Sequence, residues 1–214
     1  MSYTVKELYH TLQGEGAHAG RAAVFCRFTG CNLWSGLERD RASAVCRFCD
    51  TDFRGTDGPG GGRFQDALAL AHDIRRLWDA QAPAGGGQPY VVFTGGEPLL
   101  QLDEALIDAC HAHGLEVAVE SNGTVQAPAG IDWLTVSPKA GAPLVQRSGD
   151  ELKLVFPQPE LLPEAVEGLD FRSRFLQPMD GPERAANTAA AAAYCMAHPA
   201  WRLSLQTHKL IGLP

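Results

Sequence analysis

Three features that mark other classes of protein are missing from this 214-residue chain. It has no run of about 18 apolar residues, so we expect no transmembrane helix. Residues 1–7 offer neither an apolar core segment nor a small-residue cleavage site, so we expect no signal peptide and a cytoplasmic protein. The longest basic cluster is Arg75-Arg76 and the formal net charge is −7, which argues against general nucleic-acid binding.

Charged residues make up 20% of the chain and apolar residues 45%, which is ordinary for a globular protein. The length predicts one domain over residues 1–214. In a cytoplasmic chain, six cysteines are more often metal ligands or buried thiols than disulfides. Cys110 and Cys195 lie in apolar, helix-like stretches and are best explained as buried thiols.

Cys31, Cys46 and Cys49 stand close together without a fourth cysteine nearby downstream. Three thiolates bind three irons of a cubane cluster and leave the fourth iron open to a ligand. The alternative is a structural zinc site, which normally needs four protein ligands, and His18 or His72 would then supply the fourth.

The pattern of apolar residues predicts an α/β protein. We predict strands at residues 22–28, 90–94, 115–120, 131–136, 151–156 and 172–177, and a short final strand within 201–207. Helical spacing predicts helices over 64–78, 102–113 and 187–196. Alternation of this kind implies a parallel sheet. The chain is shorter than the ~250 residues of an ordinary eight-unit barrel, and residues 139–150 lack a helical period. We therefore expect an open, partial barrel of about six parallel strands.

Polar motifs follow most of the predicted strands. The cysteines come after the first, and further motifs occupy residues 94–98, 120–124, 137–139 and 177–180. Each could simply turn the chain. Together they predict a site at the carboxyl edge of the sheet, where the ends of parallel strands meet. Gly95-Gly96 would leave a bare backbone edge there for a ligand to approach.

These motifs resemble those of the radical S-adenosylmethionine superfamily, and more closely those of the 7-carboxy-7-deazaguanine synthases. The resemblance covers nearly the whole chain, and it rests on residues 9–16, 25–31, 46–51, 93–98, 137–139, 176–180 and 206–209. One feature departs from the superfamily pattern, because fourteen residues separate Cys31 from Cys46. We interpret residues 32–45 as an inserted loop in the cluster-binding motif. Cys26 is a rival ligand, although it should lie within its strand.

The resemblance implies a lyase that converts 6-carboxy-5,6,7,8-tetrahydropterin into 7-carboxy-7-deazaguanine with loss of ammonia, in queuosine biosynthesis. A reduced [4Fe-4S] cluster would cleave S-adenosylmethionine, and the resulting radical would take a hydrogen from the pterin. A magnesium ion, an electron donor such as flavodoxin and a homodimer are also implied. Two alternatives are an activating enzyme with a protein substrate and a non-catalytic zinc-stabilised module.

The resemblance also assigns residues to each ligand. The cluster ligands would be Cys31, Cys46 and Cys49, and Thr51 would bind magnesium. S-adenosylmethionine would contact Phe48, Cys49, Asp50, Gly96, Ser137, Pro138, Lys139, Gln177, Pro178, Met179 and Asp180. The substrate would contact Leu12, Gln13, Gly14, Glu15, Arg27, Thr94 and the carboxylate of Pro214. Glu15 and Arg27 would be the catalytic residues.

Several of these residues have plainer interpretations. Arg27 suits a carboxylate through its planar fork, but it could equally form a structural ion pair. Gln13 and Glu15 could belong to a polar turn. From sequence alone Thr51 would be interpreted as a helix cap, and Pro214 as part of a frayed terminus.

Overall fold

The structure is a computed structural model that describes residues 1–82 and 86–214. Within these residues the strands are β1 (Tyr3–Leu12), β2 (Ala22–Phe28), β3 (Gly62–Phe64), β4 (Tyr90–Gly95), β5 (Glu116–Ser121), β6 (Trp133–Val136), β7 (Ser148–Phe156), β8 (Asp170–Pro178) and β9 (Arg202–Leu203). The helices are α1 (Ala67–Gln81), α2 (Glu104–Ala112), α3 (Arg184–Ala197) and α4 (Thr207–Ile211).

All the strands belong to one sheet in the order β3-β1-β2-β4-β5-β6-β7-β8-β9. From β2 to β9 every neighbouring pair is parallel, whereas β1 pairs antiparallel with both β2 and β3. The sheet stays open because β3 and β9 are its two edges. This confirms the predicted α/β fold, and β2 and β4 to β8 are the six predicted parallel strands.

Crossover helices are few, as the sequence predicted. Helix α2 connects β4 to β5 and α3 connects β8 to β9, while α1 precedes β4. The described connections from β5 to β6 and from β6 to β7 contain no α-helix. None of the helices in the described part of the chain is long and apolar enough to cross a lipid bilayer.

Strands β1 and β3 were not predicted. Tyr3 and Val5 on β1 are fully buried, but the register of its pairing with β2 shifts between Val5 and Glu7. This irregularity breaks the alternation by which a strand is recognised in sequence. β3 has three residues and is defined by its pairing with β1, so local sequence carries little signal for it.

The helix starts follow from side-chain caps. Asp66 accepts a hydrogen bond from the N–H of Ala69 at 2.9 Å, so α1 begins three residues later than the apolar spacing predicted. Asp103 caps α2 by accepting from the N–H of Leu106 at 3.0 Å. The same Asp103 oxygen accepts the hydroxyl of the buried Tyr3 at 2.6 Å, which connects α2 to β1.

Residues 32–45 form a compact loop between Cys31 and Cys46. The carbonyl of Leu33 accepts hydrogen bonds from the N–H groups of Val45 and Cys46, at 3.1 and 3.3 Å, which closes the base of the loop. Trp34 is buried and its ring meets that of Phe53 edge-on at 5.6 Å. The closed base brings the chain back to Cys46 beside the position it left after Cys31.

We predict that Asp103→Ala lowers the free energy of unfolding by about 2–3 kcal/mol, because it removes a helix cap and leaves the Tyr3 hydroxyl without its partner. Asp66→Ala is the matched control, since it removes only an exposed cap and should cost about 1 kcal/mol. Denaturant titration of both variants measures the difference. Equal losses would show that the bond to Tyr3 contributes nothing.

Candidate active site

A cavity of about 440 Å³ lies at the carboxyl edge of the parallel strands. Its wall contains nearly all the residues that the sequence assigned to ligands. Those on the wall are Leu12, Gln13, Gly14, Glu15, Arg27, Cys46, Phe48, Cys49, Asp50, Thr51, Thr94, Gly96, Ser137, Lys139, Gln177, Pro178, Met179, Asp180 and Pro214. Cys31 and Pro138 are not on the wall, although Cys31 packs against Gly96 and Pro138 lies between two wall residues, Ser137 and Lys139. Parallel pairing therefore brings segments from the whole chain together.

The three candidate cluster ligands sit on one side of this cavity as free thiols. Cys46 and Cys49 line the wall, and the sulfur of Cys31 accepts the N–H of Leu33 at 3.4 Å. Burial raises the pKa of the Cys31 and Cys46 thiols, while the positive charge of Lys139 acts in the opposite direction on Cys46. The nearby cation favours the thiolate form of Cys46, which is the form that binds an iron–sulfur cluster.

Gly95 and Gly96 give the cavity a bare backbone edge beside Cys31. A Cβ on Gly96 would lie 2.2 Å from the carbonyl oxygen of Gly30 and 2.6 Å from the Cβ of Cys31. Gly95 has a φ of 146° and a Cβ there would lie 2.3 Å from the Phe28 carbonyl oxygen. A side chain at Gly96 would push Gly30 and Cys31 away from β4, and one at Gly95 would collide with the end of β2.

Arg41 of the inserted loop holds the segment that carries Cys46 and Cys49. One guanidinium nitrogen, Nη1, donates to the carbonyl oxygens of Arg47 and Cys49, both at 3.0 Å. Its guanidinium also lies 4.0 Å from the ring centroid of Trp34, and Nε donates to Glu38. The loop therefore orders the backbone around two of the three candidate ligands.

Glu97 joins two of the predicted motifs in the protein interior. Its buried carboxylate accepts hydrogen bonds from the Ser121 hydroxyl at 2.9 Å and from the N–H groups of Asn122 and Leu99 at 2.7 and 3.0 Å. Burial raises the pKa of Glu97, and these donors oppose the effect. The carboxylate thus fixes the ends of β4 and β5 side by side under the cavity.

Lys153 stands between two carboxylates at the centre of the cavity. Its Nζ lies 2.5 Å from Oε2 of Glu15 and 2.7 Å from Oε2 of Glu120. Burial alone would raise the pKa of Glu15, but attraction and hydrogen bonding to Lys153 lower it to about 2. Burial alone would lower the pKa of Lys153, but the two carboxylates outweigh this effect, so that the pKa is raised.

Two amides complete this network. Gln13 Nε2 donates to Oε1 of Glu120 at 2.9 Å, and Gln206 Nε2 donates to Oε1 of Glu15 at 3.0 Å. Gln13 and Glu15 are therefore part of a hydrogen-bonded group on the cavity wall, although Gln13 Oε1 also accepts the Glu15 N–H as a polar turn would.

The C-terminal segment closes one side of the cavity. Thr207 donates its N–H and its hydroxyl to the carbonyl oxygen of Gly14, at 3.0 and 2.8 Å. The His208 ring packs so closely that a Cβ on Gly14 would lie 1.9 Å from Nδ1. Lys209 Nζ lies 2.6 Å from carboxylate oxygens of both Asp50 and Asp180. This segment thus connects β1, the cysteine loop and the end of β8.

Arg27 lines the cavity and also forms the ion pair that its plainer interpretation expected. Its Nε donates to Glu7 at 2.7 Å and its Nη2 donates to the Tyr9 hydroxyl at 2.8 Å. A substrate carboxylate at Arg27 would therefore share the guanidinium with Glu7. Thr51 caps no helix, because the described residues 46–61 contain none.

The alternative ligands are placed away from the cysteines. Cys26 is fully buried within β2, and burial raises its pKa well above the ordinary value. His18 Nδ1 is 2.9 Å from the Tyr90 hydroxyl, and His72 lies on α1 beside His113. Within residues 1–82 and 86–214, no three His, Cys, Asp or Glu side chains converge closely enough to hold a single metal ion.

Several wall residues were not singled out from the sequence. Lys153 is the main one, and a lysine between Leu152 and Leu154 in a buried strand was a detectable signal. Lys6, Glu7 and Tyr9 were missed because β1 was missed. The 206–209 motif was noticed, but the contacts of Lys209 join distant segments and leave no local pattern.

Comparison with known proteins identifies the family. Residues 40–151, more than half of the chain, match the radical SAM superfamily model, beginning inside the inserted loop after Cys31. The 7-carboxy-7-deazaguanine synthase of Bordetella pertussis is 65% identical over 214 residues and all of both chains, and that of Caulobacter vibrioides is 63% identical over the same coverage. The chain belongs to the 7-carboxy-7-deazaguanine synthase family.

A solved structure agrees with this family membership. The crystal structure of QueE from Escherichia coli has a TM-score of 0.71 and 27% identity to this chain, covering 97% of this chain and 95% of that one. As a 7-carboxy-7-deazaguanine synthase family member, the chain is a radical S-adenosylmethionine enzyme and a carbon–nitrogen lyase. Its superfamily uses a [4Fe-4S] cluster and S-adenosylmethionine, which confirms those two predicted cofactors.

We predict that Arg41→Met speeds the release of iron from the reconstituted protein to a chelator by about tenfold or more, because two charged hydrogen bonds to the cysteine loop are lost. Arg39→Met is the matched control, since Arg39 is exposed and its nearest acid, Asp40, is 3.6 Å away. Chelator absorbance over time measures both rates. Equal rates in the two variants would remove Arg41 from the support of this loop.

Proposed function

We propose that this protein converts 6-carboxy-5,6,7,8-tetrahydropterin into 7-carboxy-7-deazaguanine with release of ammonia, as a step of queuosine biosynthesis. The observation that carries the proposal is one cavity that joins the thiols of Cys46 and Cys49 to the half-buried carboxylates of Glu15 and Glu120. Full-length identity of 65% to a named synthase supports the same reaction.

The cofactors carry the hard chemistry in this proposal. When bound, the cluster and S-adenosylmethionine supply the one-electron chemistry that removes a hydrogen atom from the substrate. Cys31, Cys46 and Cys49 would hold the cluster. The protein's own part is to place the two ligands against each other and to exclude water.

The proposed S-adenosylmethionine contacts surround the cysteine side of the cavity. Gly96 offers bare backbone there, and Lys139 is half-buried and donates to the carbonyl oxygen of Ser137 at 2.6 Å. The remaining proposed contacts are Phe48, Cys49, Asp50, Pro138, Gln177, Pro178, Met179 and Asp180. Gln158 donates to the Pro138 carbonyl oxygen at 3.3 Å, and this contact supports the position of the 137–139 segment.

The proposed substrate contacts occupy the opposite side, formed by β1, β2 and the C-terminal segment. A pterin ring presents N–H donors along one edge, which suit the carboxylate of Glu15 and the amide of Gln13. The substrate carboxylate suits Arg27. Leu12, Gly14, Thr94 and Pro214 complete this set. Glu15 and Arg27 remain the proposed catalytic residues.

Further parts of the proposal rest on the resemblance. Thr51 would bind Mg²⁺ through its hydroxyl, with substrate oxygens and waters filling the other positions. A flavodoxin-type electron donor, a homodimer and a cytoplasmic location are proposed with it. A single domain over residues 1–214, with the insertion at 32–45, is supported by one sheet whose strands run from Tyr3 to Leu203.

We predict that anaerobic reconstitution gives about four irons and four sulfides per chain, and ammonia on addition of reductant, S-adenosylmethionine and the carboxytetrahydropterin. Cys46→Ala should lose the visible absorbance of the cluster and turnover together. Cys195→Ala is the control, because this thiol lies on α3 outside the cavity, and it should keep both. One bound zinc without labile sulfide would overturn the proposal.

We predict that deleting Pro214 raises the substrate dissociation constant about tenfold, because the terminal carboxylate moves back by one residue, roughly 3.5 Å. Pro214 lines the cavity, and one oxygen of its carboxylate accepts the Thr11 hydroxyl at 3.2 Å. Iron content should stay unchanged. Leu210→Ala, which trims an exposed side chain of α4, is the control. Unchanged affinity after deletion would remove this contact from the site.

A further inference from the structure

Lys153 lies in the middle of β7 with only 3% of its surface exposed, and neither the motifs nor the resemblance gave it a role. Alternation along β7 places Leu152 and Leu154 in the apolar core and turns Lys153 to the cavity, where its Nζ meets Glu15 and Glu120. A buried lysine is costly unless it is paired, so its partners explain its position.

The contacts around the two carboxylates form a symmetrical set. Each carboxylate gives its Oε2 to Lys153, while the Oε1 of Glu15 accepts from Gln206 and the Oε1 of Glu120 accepts from Gln13. Both oxygens of each carboxylate are therefore held. A carboxylate oxygen has two lone-pair sites, so each oxygen retains capacity to accept a substrate N–H.

A third carboxylate, that of Glu151, adds to the negative charge that the positive charge of Lys153 balances. Glu120 on β5 and Glu151 on β7 are both in register with Thr135 of the intervening β6, so they flank it at the same level of the sheet. Glu151 is buried and accepts the Ala17 N–H at 2.9 Å. Lys153 is thus the cation close to three acids, of which Glu15 and Glu120 line the cavity.

We propose that Lys153 is a positioning residue of the substrate site, which fixes Glu15 and Glu120 toward the pterin and supplies the positive charge that both carboxylates share. The proposal rests on the function proposed above and adds a residue to it. Lys153 acts through the two carboxylates and needs no contact with the substrate.

The proposal has a consequence for pH dependence. The charged and titratable groups that face Glu15 are Lys153 and Glu151 from β7, Glu120 from β5 and His208 from α4. Of these, Lys153 is the main cause that opposes burial and lowers the pKa of Glu15. Without Lys153, burial raises this pKa, and Glu15 takes up a proton as the pH falls. The protonated carboxyl then has less capacity to accept from the substrate.

The experiment measures the dissociation constant of the carboxytetrahydropterin between pH 5 and 8 by equilibrium dialysis. The protein is cluster-loaded and carries S-adenosylmethionine without reductant, so no turnover occurs. For Lys153→Met, the ratio of variant to wild-type dissociation constants should rise about tenfold per pH unit below the raised pKa of Glu15. The ratio cancels any titration of the substrate itself.

Two further variants separate charge from structure. Lys153→Gln keeps side-chain donors but removes the charge, and it should show the same rise if Lys153→Met fails to fold. In Lys153→Met with Glu15→Gln, position 15 no longer titrates, and the ratio should be independent of pH. A pH-independent ratio in both Lys153→Met and Lys153→Gln would overturn the proposal, since a merely structural role predicts a constant loss.

A spectroscopic measurement tests the same idea without turnover or substrate. The infrared difference between wild type and Glu15→Gln at pH 4.5 should show an ionised carboxylate at Glu15. A protonated carboxyl there would contradict the role given to Lys153. If the wild-type protein fails to bind the carboxytetrahydropterin at all, the proposed function fails, and the infrared result still decides on Lys153.

Discussion

Parallel pairing from β2 to β8 is the constraint on which the site depends. It brings the carboxyl ends of six segments that are far apart in sequence to one edge of the sheet. Every ligand-assigned motif follows one of these ends or lies beside a segment that does. The antiparallel strand β1 also contributes to the site, because it brings residues 12–15 to the same cavity. The strand pairing therefore determines which side chains can meet in the site, and the loops determine the distances between them.

The cavity divides into two chemically different sides. Near the cysteines the protein offers thiols, bare glycine backbone and the cation of Lys139. The thiols suit an electron-transferring cluster, and the backbone and the cation suit the carboxylate of an amino-acid-like ligand. On the other side, ionised carboxylates and amides suit a heterocycle that is rich in donors. Burial strengthens both sets of interactions, because charges that are removed from water interact more strongly. The same burial makes every unpaired charge expensive, so the carboxylates and the lysine occur together.

Local patterns in the sequence predicted the central strands and the polar motifs at their ends, whereas most of the residues on the cavity wall were assigned through the resemblance to a family. Apolar runs mark β2 and β4 to β8, and cysteine, glycine and proline motifs mark their ends. The other elements and contacts depend on pairing between distant parts of the chain, which local sequence patterns do not reveal. β1 carries an irregular register against β2, and α4 is a five-residue helix whose position depends on the contact between Thr207 and Gly14. The partners of Lys153 come from β5 and from the segment after β1, and nothing near residue 153 specifies them.

The docking of the C-terminal segment onto residues 14–16 also bears on how the protein folds. The bond between Gln206 and Glu15 spans 191 positions, and that between Thr207 and Gly14 spans 193. Closing such long loops has an entropic cost that rises with length, so these contacts form after the sheet has been assembled. Contacts that form late and hold a short exposed helix are also the first to open in the native state. Amide hydrogens of α4 therefore exchange with solvent sooner than those of β4 and β5, and the substrate side of the cavity opens while the core stays folded.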